Sequence, residues 1–280
     1  MTEKMSFIIL RNVPKEETQI DGVFYEIEGG FRGFRGVSSG AHYISVKVEE
    51  QHKGFWCYLE SNQALVKTFN AALQQFEDEE PNTTEQYQQL ALSGAMDQAL
   101  ITYDEDTREI WQELTKYITH QDFPPTLHQE ESIQPPTNLS AEDLSQWMLK
   151  YHKSRFEQAL FDTHQGNINA FLGEFQFAFA RWYIDSEDTI AFNRWSHLLQ
   201  ALYNAGESGI SKATDLFSQL IDILLLQFDC LPDEVLNPDS VVISSAEYLA
   251  EDMIDSDVEE VVEQGEEFKA YLEERGIVTE

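Results

Sequence analysis

Apolar and polar residues follow two rhythms along this 280-residue chain, and the change falls near residue 83. Before it, short apolar runs alternate with turn residues. Phe7-Ile8-Ile9-Leu10 should be a strand that stops by Pro14, because proline cannot donate to a sheet ladder. Segments 24–27, 31–37, 42–48, 55–59 and 65–69 read as further strands. His42-Tyr43-Ile44-Ser45-Val46-Lys47-Val48 alternates with the period of two that a half-buried strand requires. Gly29-Gly30 and Ser38-Ser39-Gly40 supply turns. Turns this frequent predict a small sandwich or barrel.

After residue 83 the period becomes helical. Tyr87, Leu90 and Ala91 share one face, and a second helix over 106–119 aligns Ile110, Trp111, Leu114 and Ile118. Two Pro-Pro pairs, Pro124-Pro125 and Pro135-Pro136, then forbid a helix and favour an extended connection. The expected organisation is a β-rich domain with two terminal helices over 1–120, a Pro-rich linker over 121–138, and an all-helical domain over 139–280. Ser140 followed by Asp143 is an N-cap signature. Helices are expected over 168–183, through Phe192, Trp195, Leu199 and Leu202 with Gly206 as the stop, and over 208–228. The last of these is apolar on most sides and is expected at the centre of its domain. Two more follow, around Leu249 and Phe268. The fold class is therefore α+β multidomain.

Charge narrows the function. Fifty-one acidic residues against 18 basic give a net charge of −33. Nucleic-acid affinity comes mostly from Lys and Arg neutralising phosphates, so direct binding to nucleic acid or to an anionic membrane surface is not expected. Cys57 and Cys230 are far apart, and no C-x-x-C spacing exists. No apolar signal core follows Met1, and no run approaches the ~20 apolar residues of a membrane span. These features predict a cytoplasmic protein.

Candidate chemistry is sparse. Glycines 29, 30, 33, 36 and 40 do not form a phosphate loop, which would lead into a helix; tight turns explain them. His42 as a general base with Asp21, or with a nearby serine, Ser38 or Ser39, is the one catalytic arrangement to weigh, against a histidine that merely fixes a turn. No histidine pair has zinc-type spacing. The acidic series from Asp252 to Glu267 lacks the calcium-loop frame and reads as a solvated face, with capture of a basic partner as the second reading. No catalytic, cofactor or metal residues are assigned.

The residues nevertheless resemble the A1 cistron-splicing factor family. Leu172-Gly173-Glu174-Phe175-Gln176-Phe177-Ala178-Phe179 is similar to that family's L-G-E-L-Q-F-A-F run, and Ala191-Phe192 through Trp195 to Leu199 to its A-F-x-x-W-x-x-L-L. Ile20-Asp21, Phe31-Arg32-Gly33, Gly40-Ala41-His42-Tyr43 and Trp111-Gln112-Glu113-Leu114-Thr115 follow its earlier motifs in order. The resemblance implies a β-sandwich-like first domain and a superhelical all-α second one. It implies a non-enzymatic chaperone of the U5 small nuclear ribonucleoprotein, holding that particle's large core protein by its C-terminal domains. Asp21, Phe31, Arg32, Gly33, Gly40, His42, Trp111, Phe175, Gln176, Phe192 and Trp195 then occupy family positions, structural or partner-binding. Two other readings stand beside it: a compact relative with an unrelated protein partner, and a small-molecule enzyme using Asp21 and His42.

Overall fold

The computed structural model describes residues 5–14, 16–27, 29–129 and 135–277. Backbone contacts divide the chain between Pro125 and Thr126 into two units.

The first unit runs through β1 (Ser6–Arg11), β2 (Glu17–Ile20), β3 (Val23–Glu26), β4 (Gly33–Val37), β5 (Gly40–Val48), β6 (Gln51–Leu59), β7 (Ala64–Asn70) and β8 (Gln75–Asp78). Helix α1 (Pro81–Leu92), the short β9 (Ile101–Thr102) and α2 (Glu105–Leu114) complete it. Among the described residues the strands form two sheets, ordered β8-β7-β1-β4-β9 and β3-β2-β5-β6. β1 pairs antiparallel with β4 and parallel with β7.

Successive side chains of a strand point to opposite faces, and β1 is apolar on both. Ile8 and Leu10 pack with Ile20, Ile44, Cys57 and Leu59 from the other sheet, so the two sheets face each other as a sandwich. Ile9 points the opposite way and packs with Ala64, Val66 and Ala91, placing α1 over the outer face. The expected strands are present, but β2, β8 and β9 were not anticipated. The helix expected over 106–119 ends at Leu114. There the Thr115 hydroxyl turns back to donate to Trp111 O at 2.8 Å, and Ile118 reaches the core through a turn instead.

The second unit contains α3 (Ala141–Glu157), which passes into a π-helical turn at Gln158–Thr163, then α4 (Ile168–Ile184) and α5 (Thr189–Tyr203). Next come α6 (Gly206–Lys212), α7 (Thr214–Asp229), α8 (Ala246–Ile254) and α9 (Glu259–Glu274). Side chains cap three of these helices: Ser140 accepts from Asp143 N–H, Asn167 from Ala170 N–H and Asp188 from Ala191 N–H. Three expectations are corrected here. The helix over 208–228 is broken at Ala213 (φ −139°, ψ 43°), so that α6 packs on α3 and α8 while α7 packs on α4 and α9. Gly206 does not stop α5, which ends at Tyr203; with φ +69° it opens α6. The centre of the unit is α4 rather than α7. Every residue of α4 from Phe171 to Ala180 is buried, whereas α7 leaves Asp222 exposed.

Candidate functional site

The β2–β3 hairpin has a two-residue turn, Asp21-Gly22, with both residues at positive φ (51° and 88°). That is the geometry an Asp-Gly pair favours. The turn presents the Asp21 carboxylate to β5, where Oδ2 lies 2.6 Å from Nδ1 of His42 and Oδ1 accepts from Tyr43 N–H at 2.8 Å. The Tyr103 hydroxyl, just after β9, donates to Oδ2 at 2.7 Å. The other ring nitrogen of His42, Nε2, meets the carbonyl of Ser38 at 3.1 Å. A carbonyl can only accept, so Nε2 carries a proton and its lone pair is not offered to a substrate.

Asp21, His42 and Tyr103 are all buried. Burial, helped by the Asp21 charge, pushes the Tyr103 phenol far up, so it stays a donor. The Ser38 hydroxyl is buried without a hydrogen-bond partner among the described residues, and it is the Ser38 carbonyl that meets the ring. Asp21 and His42 are thus brought together, as the catalytic reading requires. They are brought together as a closed network joining β2, β5 and β9.

The neighbouring family positions serve the same framework. A Cβ on Gly33 would lie 1.8 Å from Ile8 O, and its φ is +127°, so only glycine fits against β1. Gly40 begins β5 at φ +128°. The Trp111 indole donates to Ala41 O at 2.8 Å and stacks on Trp56, fastening α2 to β5. Phe31 packs edge-on against Phe34. Arg32 is exposed, has no ion-pair partner among the described residues, and lines a groove of about 320 Å³ with Phe31, Arg11 and Tyr87.

In the helical unit the family run surrounds a residue that sequence reasoning did not single out. Glu174 on α4 is buried, and Arg194 on α5 grips both its oxygens, Nε to Oε1 at 2.7 Å and Nη2 to Oε2 at 3.0 Å. His164 Nε2 lies 2.7 Å from Oε2, and His128 donates its backbone N–H to Oε1 at 2.6 Å. His128 Nδ1 adds a contact to Oε2 at 3.1 Å. Burial pushes this carboxyl up. The His164 and Arg194 hydrogen bonds, the Arg194 charge and the His128 N–H outweigh that and hold it at about 2.

Three of these groups, from His128, His164 and Glu174, lie close enough together to ligate a metal ion, although no zinc-type spacing links them in the chain. The arginine on the same carboxylate opposes a second cation, and protein donors already fill both oxygens. The cluster therefore reads as a clamp that holds residue 128, within the expected linker, onto α4.

Phe175 and Gln176 are fully buried within α4. Trp195 stacks on Trp182 with centroids 5.3 Å apart, and Phe192 packs against Trp182 at 4.9 Å. Phe175, Gln176 and Trp195 lie in the core of the unit, and the half-buried Phe192 and Trp182 pack at its edge. Cys57 is buried and its thiol is pushed far up by that burial; the Cys230 thiol is raised as well, so neither is an activated nucleophile.

Comparison with curated proteins gave no match. Family models match almost the whole chain: an AAR2 N-terminal domain over residues 4–135 and an AAR2 C-terminal repeat region over residues 127–276. Both regions occur in order, and the motif residues take up the framework positions just described. The chain belongs to the AAR2 family of cistron-splicing factors, a family of splicing assembly factors.

Proposed function

We propose that this protein is a non-enzymatic assembly chaperone that holds a large spliceosomal core protein, that of the U5 particle, by its C-terminal domains until maturation. The observation that carries the reading is the pair of family regions spanning both structural units. The sealed Asp21–His42 network supports it, because the one arrangement suggestive of catalysis has no reactive nitrogen facing a substrate. A charge of −33 favours a protein partner over direct RNA contact. Among the described residues no helix is long and apolar enough to cross a membrane. We place the protein in the cytoplasm, where it would meet newly made partner.

The test is co-expression with the C-terminal domains of the host's U5 core protein, followed by size-exclusion chromatography. Co-elution as a salt-stable complex is the expected result. Separate elution at micromolar concentrations would favour the compact relative with another protein partner. A substrate screen in which wild-type protein shows turnover that His42→Asn lacks, at unchanged melting temperature, would favour the enzyme.

A further inference from the structure

The acidic helices at the end of the chain are not used by the framework above, and the first of them, α8, borders a wide groove. It lies within the helical unit, between α3, the α5–α6 junction and α8, and measures about 700 Å³. Tyr203 lies at its inner side, buried, with its hydroxyl donating to Val242 O at 2.7 Å. Met148 and Tyr248 line it with exposed apolar surface, Tyr248 at 58 %. Glu207, Glu251 and Asp252 surround these side chains, and no Lys or Arg is among the described lining residues. Glu207 and Glu251 have no ion-pair partner among the described residues.

We propose that this groove docks a cationic amphipathic segment of a partner protein, arginines against Glu207, Glu251 and Tyr248 and an apolar side chain against Met148. This rests on reading the molecule as a protein-binding factor.

Charge selects the occupant. Residues 246–274 carry twelve carboxylates and one lysine, Lys269, so the field at the groove mouth repels acidic segments and nucleic acid and concentrates cationic ones. The mixture of groups narrows it further. A guanidinium can lie on the exposed Tyr248 ring while donating to a carboxylate beside it, which a point charge does less well. The uncharged Met148 surface gives an amphipathic segment an advantage over one that is merely basic. A plain acidic surface would bind both alike.

The probe is a fluorescein-labelled helical peptide with arginines along one face and leucines along the other. Its partners are a scrambled peptide of the same composition and a version with glutamates for the arginines. Fluorescence anisotropy should show salt-sensitive binding of the first, at least about tenfold weaker binding of the scrambled one, and none of the acidic one. The combined variant Glu207→Gln, Glu251→Gln, Tyr248→Ala should weaken binding about tenfold or more. The variant Glu263→Gln, Glu266→Gln, on the exposed face of α9, should change it less than about twofold.

Equal weakening by both variants would mean generic charge attraction and overturn the proposal. So would undiminished binding to the groove variant, or equal binding of the scrambled peptide. Thermal melts of both variants, whose substituted side chains are exposed, check that each is folded. The two readings separate cleanly. Co-elution with the U5 domains alongside a groove variant of full peptide affinity removes the groove and leaves the chaperone. Groove-dependent peptide binding without co-elution does the reverse.

Discussion

The indole N–H of Trp195 donates to Oε1 of Gln227 across 2.9 Å, joining α5 to α7 where both side chains are fully buried. Trp195 is also ringed by Trp182, Phe179 and Phe192. Trp195→Ala should therefore destabilise by roughly 3–5 kcal/mol, the cost of emptying a buried large aromatic. Trp195→Phe keeps most of the packing but strands the Gln227 oxygen, and should cost roughly 1–3 kcal/mol. Urea denaturation of the two variants checks the order. A Trp195→Ala protein with wild-type stability and a lost partner would move this residue from the core to a binding surface.

His42→Asn should lower stability by about 1–3 kcal/mol, since an asparagine cannot span from the Asp21 carboxylate to the Ser38 carbonyl as the ring does. Asp21 would keep the Tyr103 hydroxyl and the Tyr43 N–H, which limits the loss. Thermal melting measures it. A variant that melts with wild type would show that the ring's two hydrogen bonds add nothing to the fold.

The parts of this fold visible in the sequence are those whose signal is local. The strand expected over 42–48 lies within β5, although Ile44, Ser45 and Val46 are buried in succession rather than alternately; Ser140 caps its helix within three residues, and the dense apolar run of α4 is buried throughout. The short strands were harder. β2 reads Glu-Thr-Gln-Ile, and it is a strand because its partners bury it, with Thr18 donating its hydroxyl to Ser45 O. β9 is two residues long and exists only as a parallel addition to β4. The break at Ala213 is hidden because the apolar pattern runs through it unchanged, and separate packing partners decide it. The Glu174 clamp joins residues 128, 164, 174 and 194, which share no motif spacing, so the tertiary fold alone assembles it. The Asp-Gly pair at 21–22 was a readable hairpin signal, and it explains why Asp21 faces His42.

Gly33 and Gly29 offer a matched pair. Gly33→Ala places a methyl group against the Ile8 carbonyl at a φ of +127°, and β1 cannot retreat because both its faces are packed. The loss should be at least about 3 kcal/mol, combining backbone strain with disrupted β1–β4 pairing. A Cβ on Gly29 would meet nothing within 4 Å, so Gly29→Ala should stay within about 0.5 kcal/mol of wild type. Near-ultraviolet circular dichroism and urea midpoints of the two proteins make the comparison. Equal behaviour would show that the close approach of β4 to β1 is not what requires glycine at 33.

Glu174 provides the pH dependence. Its carboxyl sits at about 2 in the folded protein, below the value of about 4.3 expected in an unfolded chain. A depressed carboxyl stabilises the fold fully above the unfolded value and loses that contribution as pH falls through the window down to about 2. The gap corresponds to on the order of 3 kcal/mol. Glu174→Gln removes the charge and leaves the Arg194 guanidinium buried without its counterion, so it should cost roughly 3–5 kcal/mol at pH 7. The difference between wild type and variant should then shrink as the pH is lowered from 5 toward 2. Guanidinium unfolding across that range measures it. Hydrogen exchange adds an independent readout, because the His128 N–H donates to this carboxylate at 2.6 Å and the charged acceptor is lost in the variant. Faster exchange at residue 128 in Glu174→Gln, with α7 still protected, is the expected pattern. A stability difference that stays constant with pH would mean that the charge on Glu174 does not hold the clamp.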